Sequence, residues 1–165
     1  LAGTVDWQGS SAKFATLYAT LPGNGELDGS GEWRDGTLQL ALTANRLDAA
    51  QIVSSLRSTR LKGPISSLLG TDRQQLKLDL KDATFALLAE ASHSGERIDL
   101  PQLQLSAGDA RLSAKAELDL KTPRTFMAEG ELQRFDPSRF AKVPAAQINA
   151  SFKADGRLDP RASSG

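Results

Sequence analysis

Histidine, cysteine and closely spaced carboxylates are the side chains that most often carry catalysis or metal. This chain offers few of them in workable arrangements. His93 is the one histidine, and there is no cysteine. The tetrapeptide Ser92-His93-Ser94-Gly95 reads as a turn, so His93 is expected in a solvated loop. A Ser/His/Asp hydrolase would need it in a pocket beside an acid. The same counts exclude disulfides, thiolate metal sites, zinc, haem and iron–sulfur ligation. Asp79, Asp82, Glu90, Asp99 and Asp119 fall mostly on presumptive polar strand faces, and no D-x-D-x-D-G calcium loop is present. The run from Gly23-Asn24-Gly25 to Gly29-Ser30-Gly31 lacks the P-loop lysine and the spacing of a dinucleotide fingerprint. Trp7, Trp33 and Tyr18 are too scattered for an RNA-stacking platform. No catalytic residue, metal ligand or cofactor is therefore expected, and the chain reads as a binding or scaffolding protein, not an enzyme.

What remains to position is apolar surface. The 165 residues carry twenty basic and twenty acidic side chains, so no net field recruits nucleic acid. Two basic clusters, Arg57-Arg60-Lys62 and Arg134-Arg139-Lys142, fall at or just beyond short helical turns, where cations favour exposed carbonyls. The longest apolar run, Phe85 to Ala89, is far too short to cross a bilayer. The chain opens at Leu1 inside an alternating pattern and closes on Ala162-Ser163-Ser164-Gly165. It is expected to be a fragment of a longer β-repeat protein, residues 1–165 forming one piece with a tail at 161–165. Leu and Ala supply most of the apolar side chains, while Val occurs three times and Ile four. That is unusual for strands, where β-branched residues lead, and makes a looser, more flexible lining.

Strict alternation marks half-buried strands. Leu38, Leu40 and Leu42 share one face, as do Leu76, Leu78 and Leu80, opposite Lys77, Asp79 and Lys81. The phase flips near Asp82, which predicts a bulge or tight turn. Further strands are expected at Leu1–Trp7, Ala12–Ala19, Leu27–Trp33, Ile98–Leu100, Leu103–Leu105, Leu112–Leu120, Phe126–Leu132 and Ile148–Leu158. Turns separate most of them at short range, with Asp35-Gly36 the strongest hairpin signal. Residues 61–75, with Gly63-Pro64 and Gly70, read as the least regular loop. Such short connections force antiparallel neighbours. The expected class is all-β with one or two short helices. It would be an elongated curled antiparallel sheet forming a groove, with a β-sandwich as the alternative. The residues expected to share its apolar interior are Leu38, Leu40, Leu42, Leu76, Leu78, Leu80, Leu103, Leu105, Leu112, Leu118, Leu120, Phe126, Ile148 and Phe152.

One heptapeptide pattern recurs. Arg46-Leu47-Asp48-Ala49-Ala50-Gln51-Ile52 returns 88 positions later as Arg134-Phe135-Asp136-Pro137-Ser138-Arg139-Phe140. Each copy places an Asp where it caps a helical start, between apolar residues spaced for a hydrophobic staple, Leu47 with Ile52 and Phe135 with Phe140. The spacing predicts a helix over about 49–57, a shorter turn over 137–141, and repeat units of roughly 25–112 and 113–160.

Leu61-Lys62-Gly63-Pro64-Ile65, Gln75-Leu76-Lys77-Leu78-Asp79-Leu80-Lys81-Asp82 and Leu103-Gln104-Leu105-Ser106-Ala107-Gly108-Asp109-Ala110-Arg111-Leu112 resemble the AsmA-like superfamily, within it the TamB-type family. Gly25 to Trp33 and Ala128 to Pro137 fit the same Leu- and Gly-rich strand pattern. The similarity covers most of residues 25–160. It implies a periplasmic protein anchored in the inner membrane of a Gram-negative bacterium, built as a curled sheet with an apolar inner face. It also implies phospholipid movement between membranes, outer-membrane biogenesis and a TamA-like barrel partner engaged through other regions. No catalytic residue comes with the resemblance. Two functions stay open: a conduit whose Leu-lined face meets acyl chains, and a scaffold offering strand edges to unfolded outer-membrane protein strands. An adhesin-type β-solenoid is a third reading, opposed by the 88-residue period.

Overall fold

The computed structural model describes residues 2–158. They form one antiparallel sheet of eleven strands in strictly sequential order, curled but not closed. The strands are β1 (Ala2–Gln8), β2 (Ser11–Leu21), β3 (Gly25–Arg34), β4 (Thr37–Leu47), β5 (Leu61–Leu69) and β6 (Arg73–Lys81). They continue as β7 (Phe85–Ser94), β8 (Arg97–Ala107), β9 (Ala110–Asp119), β10 (Arg124–Phe135) and β11 (Ile148–Leu158). The expected curled sheet is thus the architecture, and no second sheet closes on it among the described residues.

Local chemistry explains the meander. Asp35 and Gly36 both take left-handed backbone angles (φ 48° and 76°), the turn whose twist matches two flanking strands. The phase flip near Asp82 is the tight β6–β7 hairpin, where the Asp82 carboxylate accepts from Thr84 N (2.7 Å) and Phe85 N (2.8 Å). Ile98–Leu100 and Leu103–Leu105, expected as separate strands, are one strand, β8. Its register slips between Leu100 and Leu103, placing Pro101 where a missing N–H does least harm.

Two further expectations are corrected. Residues 61–75 are not a loop: β5 and the start of β6 occupy them. Gly63-Pro64 misled because it resembles a breaker. Gly63 is there because a Cβ would sit 2.0 Å from Asp79 O, at φ 144°. The expected helix over 49–57 is a single turn, α1 (Ala49–Ile52), and the second corner is a 3₁₀ turn at Pro137–Arg139. Val53 already leaves helical geometry, since a β-branched residue followed by two serines has little reason to extend it.

Candidate functional site: an apolar face with one walled margin

Cross-strand register decides which side chains share a face. Across β3 to β6, the row Gly29, Leu42, Ile65, Leu78 is continuous. It runs on through Ala89, Leu103, Ala114, Gly130 and Phe152 to β11. A neighbouring row joins Leu80, Leu87, Leu105, Leu112, Leu132 and Ala150. Of the predicted interior residues, Leu38, Leu40, Leu42, Leu76, Leu78, Leu80, Leu103, Leu105, Leu112, Leu118, Phe126, Ile148 and Phe152 lie on this one face. Leu120 lies just past the end of β9. Aromatic rings fill in where floor residues are absent: Phe152 lies over Gly130 and Phe126 over Gly156.

This face is not sealed. Leu76 is 40 % exposed, Phe152 41 % and Trp7 66 %, and among the described residues no large side chain is fully buried. The accessible surface is 10923 Å², whereas a compact monomer of this mass exposes about 7,900 Å². Hollows of ≈ 920 and ≈ 670 Å³ lie instead over the opposite, polar face, between long side chains such as Lys115 and Glu129 or Lys13 and Lys77. Two ion pairs lie among them, Lys115–Glu129 at 2.7 Å and Lys77–Glu90 at 3.0 Å.

The two margins of the sheet differ. One carries short hairpins at 8–11, 34–37, 69–73, 94–97 and 119–124. The other carries the two long corners, 47–61 and 135–148, and here the repeated heptapeptide explains itself. Arg46 and Arg134, its first residues, both adopt left-handed angles (φ 54° and 45°). Each sits in a register slip, Ala44/Leu47 or Leu132/Phe135, that launches the chain out of the sheet. Asp48 then accepts from Ala50 N (3.1 Å), Ser58 Oγ (3.0 Å) and Thr59 N (2.9 Å), tying the corner's exit to its return. Asp136 does likewise with Ser138 N (3.0 Å) and Ala146 N (3.2 Å). Both carboxyls titrate below the ordinary Asp value. For Asp48 the Thr59 amide is the main cause, and for Asp136 the Ser138 hydroxyl.

The corners meet. Arg57 N donates to Phe140 O (2.8 Å) and Lys142 N to Ser55 O (2.9 Å), around an antiparallel bridge of Leu56 with Ala141. Arg57 Nε also reaches Ser138 O, and Lys142 Nζ reaches Ser54 O (3.2 Å). Arg60 N is fixed to Asp82 (3.0 Å), and Arg139 to Ala107 O (2.9 Å) and Asp109 (2.8 Å). A continuous wall results, crossing the margin from β4 to β11. Beneath it lie most of the chain's buried apolar residues: Ala44, Leu61, Leu80, Ala107, Ala110 and Phe140. Phe140 stacks on Phe135 at 5.0 Å, so that staple forms. Ile52 is 71 % exposed and contributes no buried staple with Leu47.

Sequence reasoning misplaced His93. It belongs to β7, half-buried on the apolar face between Gln74 and Ile98, because the odd-numbered phase of Phe85, Leu87, Ala89 and Ala91 continues through it. That phase was the signal available. The meeting of two corners 88 residues apart left no such signal. No grouping of His, Cys, Asp and Glu suited to a metal ion occurs among the described residues. No protein-family model, curated protein or solved structure matches this chain.

Proposed function

We propose that this chain is a non-enzymatic segment of a periplasmic apolar groove. In that role it shields the acyl chains of phospholipid moving between an inner and an outer membrane, the activity implied by the AsmA-like resemblance. The observation that carries the reading is a single apolar face continuous across eleven strands yet half-exposed. Such a surface costs free energy in water, roughly 25 cal/mol per Å², unless something apolar covers it. Strands of nine to twelve residues span roughly 30–40 Å, and one leaflet's hydrocarbon is about 15 Å deep, so a lipid tail fits within their length. Photo-crosslinkers placed at Leu78, Leu105 or Leu118 of the whole protein in cells should trap phospholipid, while those at Lys77 or Asp119 should not. Equal labelling of both faces, or adducts on neither, refutes the conduit.

A second reading is favoured by the sheet's ends. Among the described residues β1 and β11 each have a single paired neighbour, and a sheet edge of this kind can accept an extended strand. On that reading the segment is a scaffold for outer-membrane protein strands, and crosslinks would concentrate on β1 and β11 and trap polypeptide.

A further inference from the structure

The two corners that build the wall combine unanswered positive charge with exposed hydrocarbon. From Ala49 to Leu61 and from Pro137 to Gln147 they hold Arg57, Arg60, Arg139 and Lys142 and no acidic residue, in a chain whose charges cancel overall. Lys62 follows at the start of β5. Arg139 is paired with Asp109 and Asp136. Arg57, Arg60, Lys62 and Lys142 are exposed and form no ion pair among the described residues. The acids bordering the corners are turned to the corners' own amides: Asp48 to Thr59, Asp82 to Arg60 and Asp136 to Ser138.

The same corners expose Ile52 (71 %), Val53 (47 %) and Val143 (44 %). Lys142 N donates to Ser55 O. Val143 lies one residue beyond that tie on one corner and Val53 two residues before it on the other, so cations and apolar groups share one stretch of wall. Exposed apolar side chains rimmed by polar ones mark an interaction surface. The hairpin margin exposes apolar groups too, Trp7 among them, but three of its turns set an acid beside a base, Arg34-Asp35, Asp72-Arg73 and Glu96-Arg97.

We propose that the wall docks on the headgroup layer of an anionic phospholipid bilayer. Ile52, Val53 and Val143 enter between headgroups, while Arg57, Arg60, Lys62 and Lys142 meet phosphates. Interfacial binding draws on both terms, apolar area removed from water and attraction to anionic lipid. Long basic side chains serve both, laying their stems on hydrocarbon and their charges in the phosphate layer. The docking stands apart from whatever the groove carries.

The full chain is mixed with vesicles of phosphatidylcholine, alone or with phosphatidylglycerol. It has no cysteine, so Ser54→Cys places one environment-sensitive fluorophore on the wall and leaves the docking side chains intact. Its emission should shift to the blue on phosphatidylglycerol vesicles and revert as salt is raised. The same label at Asp35→Cys, on the opposite margin, should not shift. Arg60→Gln with Lys62→Gln should weaken partitioning roughly 25-fold, near fivefold for each cation removed. Lys121→Gln with Arg124→Gln, the same charge change at the hairpin margin, should alter it by less than about twofold. Ile52→Ser with Val143→Ser should weaken it about tenfold. Equal shifts at both labels, equal binding to neutral and anionic vesicles, or equal loss in the two charge pairs overturns the docking. A concentration-dependent mass in sedimentation, abolished by Ile52→Ser with Val143→Ser, would assign the surface to a second copy and overturn it as well. Neither result touches the conduit.

Discussion

At the residue scale, Asp48 and Asp136 show how one side chain organises a corner. Each accepts from the helical start and from the returning chain, ten or eleven residues on. Replacing Asp48 by Ala should cost about 1 kcal/mol in urea unfolding, the ordinary value of a helix cap, with further loss from the Thr59 tie. The pH dependence follows from the direction of the shifts. A carboxyl whose folded pKa is depressed stabilises the fold above the unfolded value of about 3.9 and ceases to do so as pH falls through its lower folded value. Asp48, Asp82 and Asp136 all shift this way. At Asp82 burial opposes the shift but is outweighed by the amides of Arg60, Phe85 and Thr84. The protection of the Thr59 and Arg60 amides, relative to their intrinsic exchange rates, should therefore fall below about pH 4, before that of the central strands. Asp48→Asn should weaken that acid sensitivity at Thr59. Gly63 offers a separate test. Gly63→Val would drive a Cβ into Asp79 O and should lower stability by about 1–3 kcal/mol, the range for a strained backbone site.

At the element scale, the wall is the one part of the molecule where side chains pack as in a conventional core. Phe140 anchors it against Phe85, Phe135, Ala107 and Ala110. Phe140→Ala should cost about 3 kcal/mol, the low end for deleting a buried Phe. It should also expose the amides of Arg57 and Lys142, whose hydrogen bonds depend on the corners staying together. Exchange within β6 should change little, because its ladder hydrogen bonds run to β5 and β7. If the Arg57 and Lys142 amides stayed protected in that variant, the corners would be held by something other than Phe140. The surface ion pairs on the polar face contribute little by comparison.

At the scale of the whole molecule, the sheet stays open because nothing within the described residues covers the middle of its apolar face. Replacing an open-face residue by a charge should thus be tolerated, and replacing a walled one should not. Leu76→Asp and Leu118→Asp should remain folded by circular dichroism, since the carboxylate still reaches water. Leu80→Asp, at a position 3 % exposed, buries an unpaired charge, and its cost of several kcal/mol rivals the stability of a small domain. Similar unfolding of all three variants would mean that the face is a sealed core.

Much of this architecture is written in the chain itself. Period-two leucines, Asp35-Gly36 and short connections fix an antiparallel meander, because side-chain phase and turn geometry are local properties. The repeated Arg-apolar-Asp segment likewise marks both corners before any contact is known. The strand at 61–69 was hidden, because Gly63-Pro64 signals a break unless the approach of Asp79 O from β6 is known. His93 was hidden too, since two serines and a glycine beside it outweighed the phase that carries it onto the apolar face. What only the tertiary structure decided is the joining of the corners, and with it which margin is walled. Local sequence cannot encode that contact: it depends on how far the intervening strands curl the sheet, and curl is the accumulated twist of every pair between them.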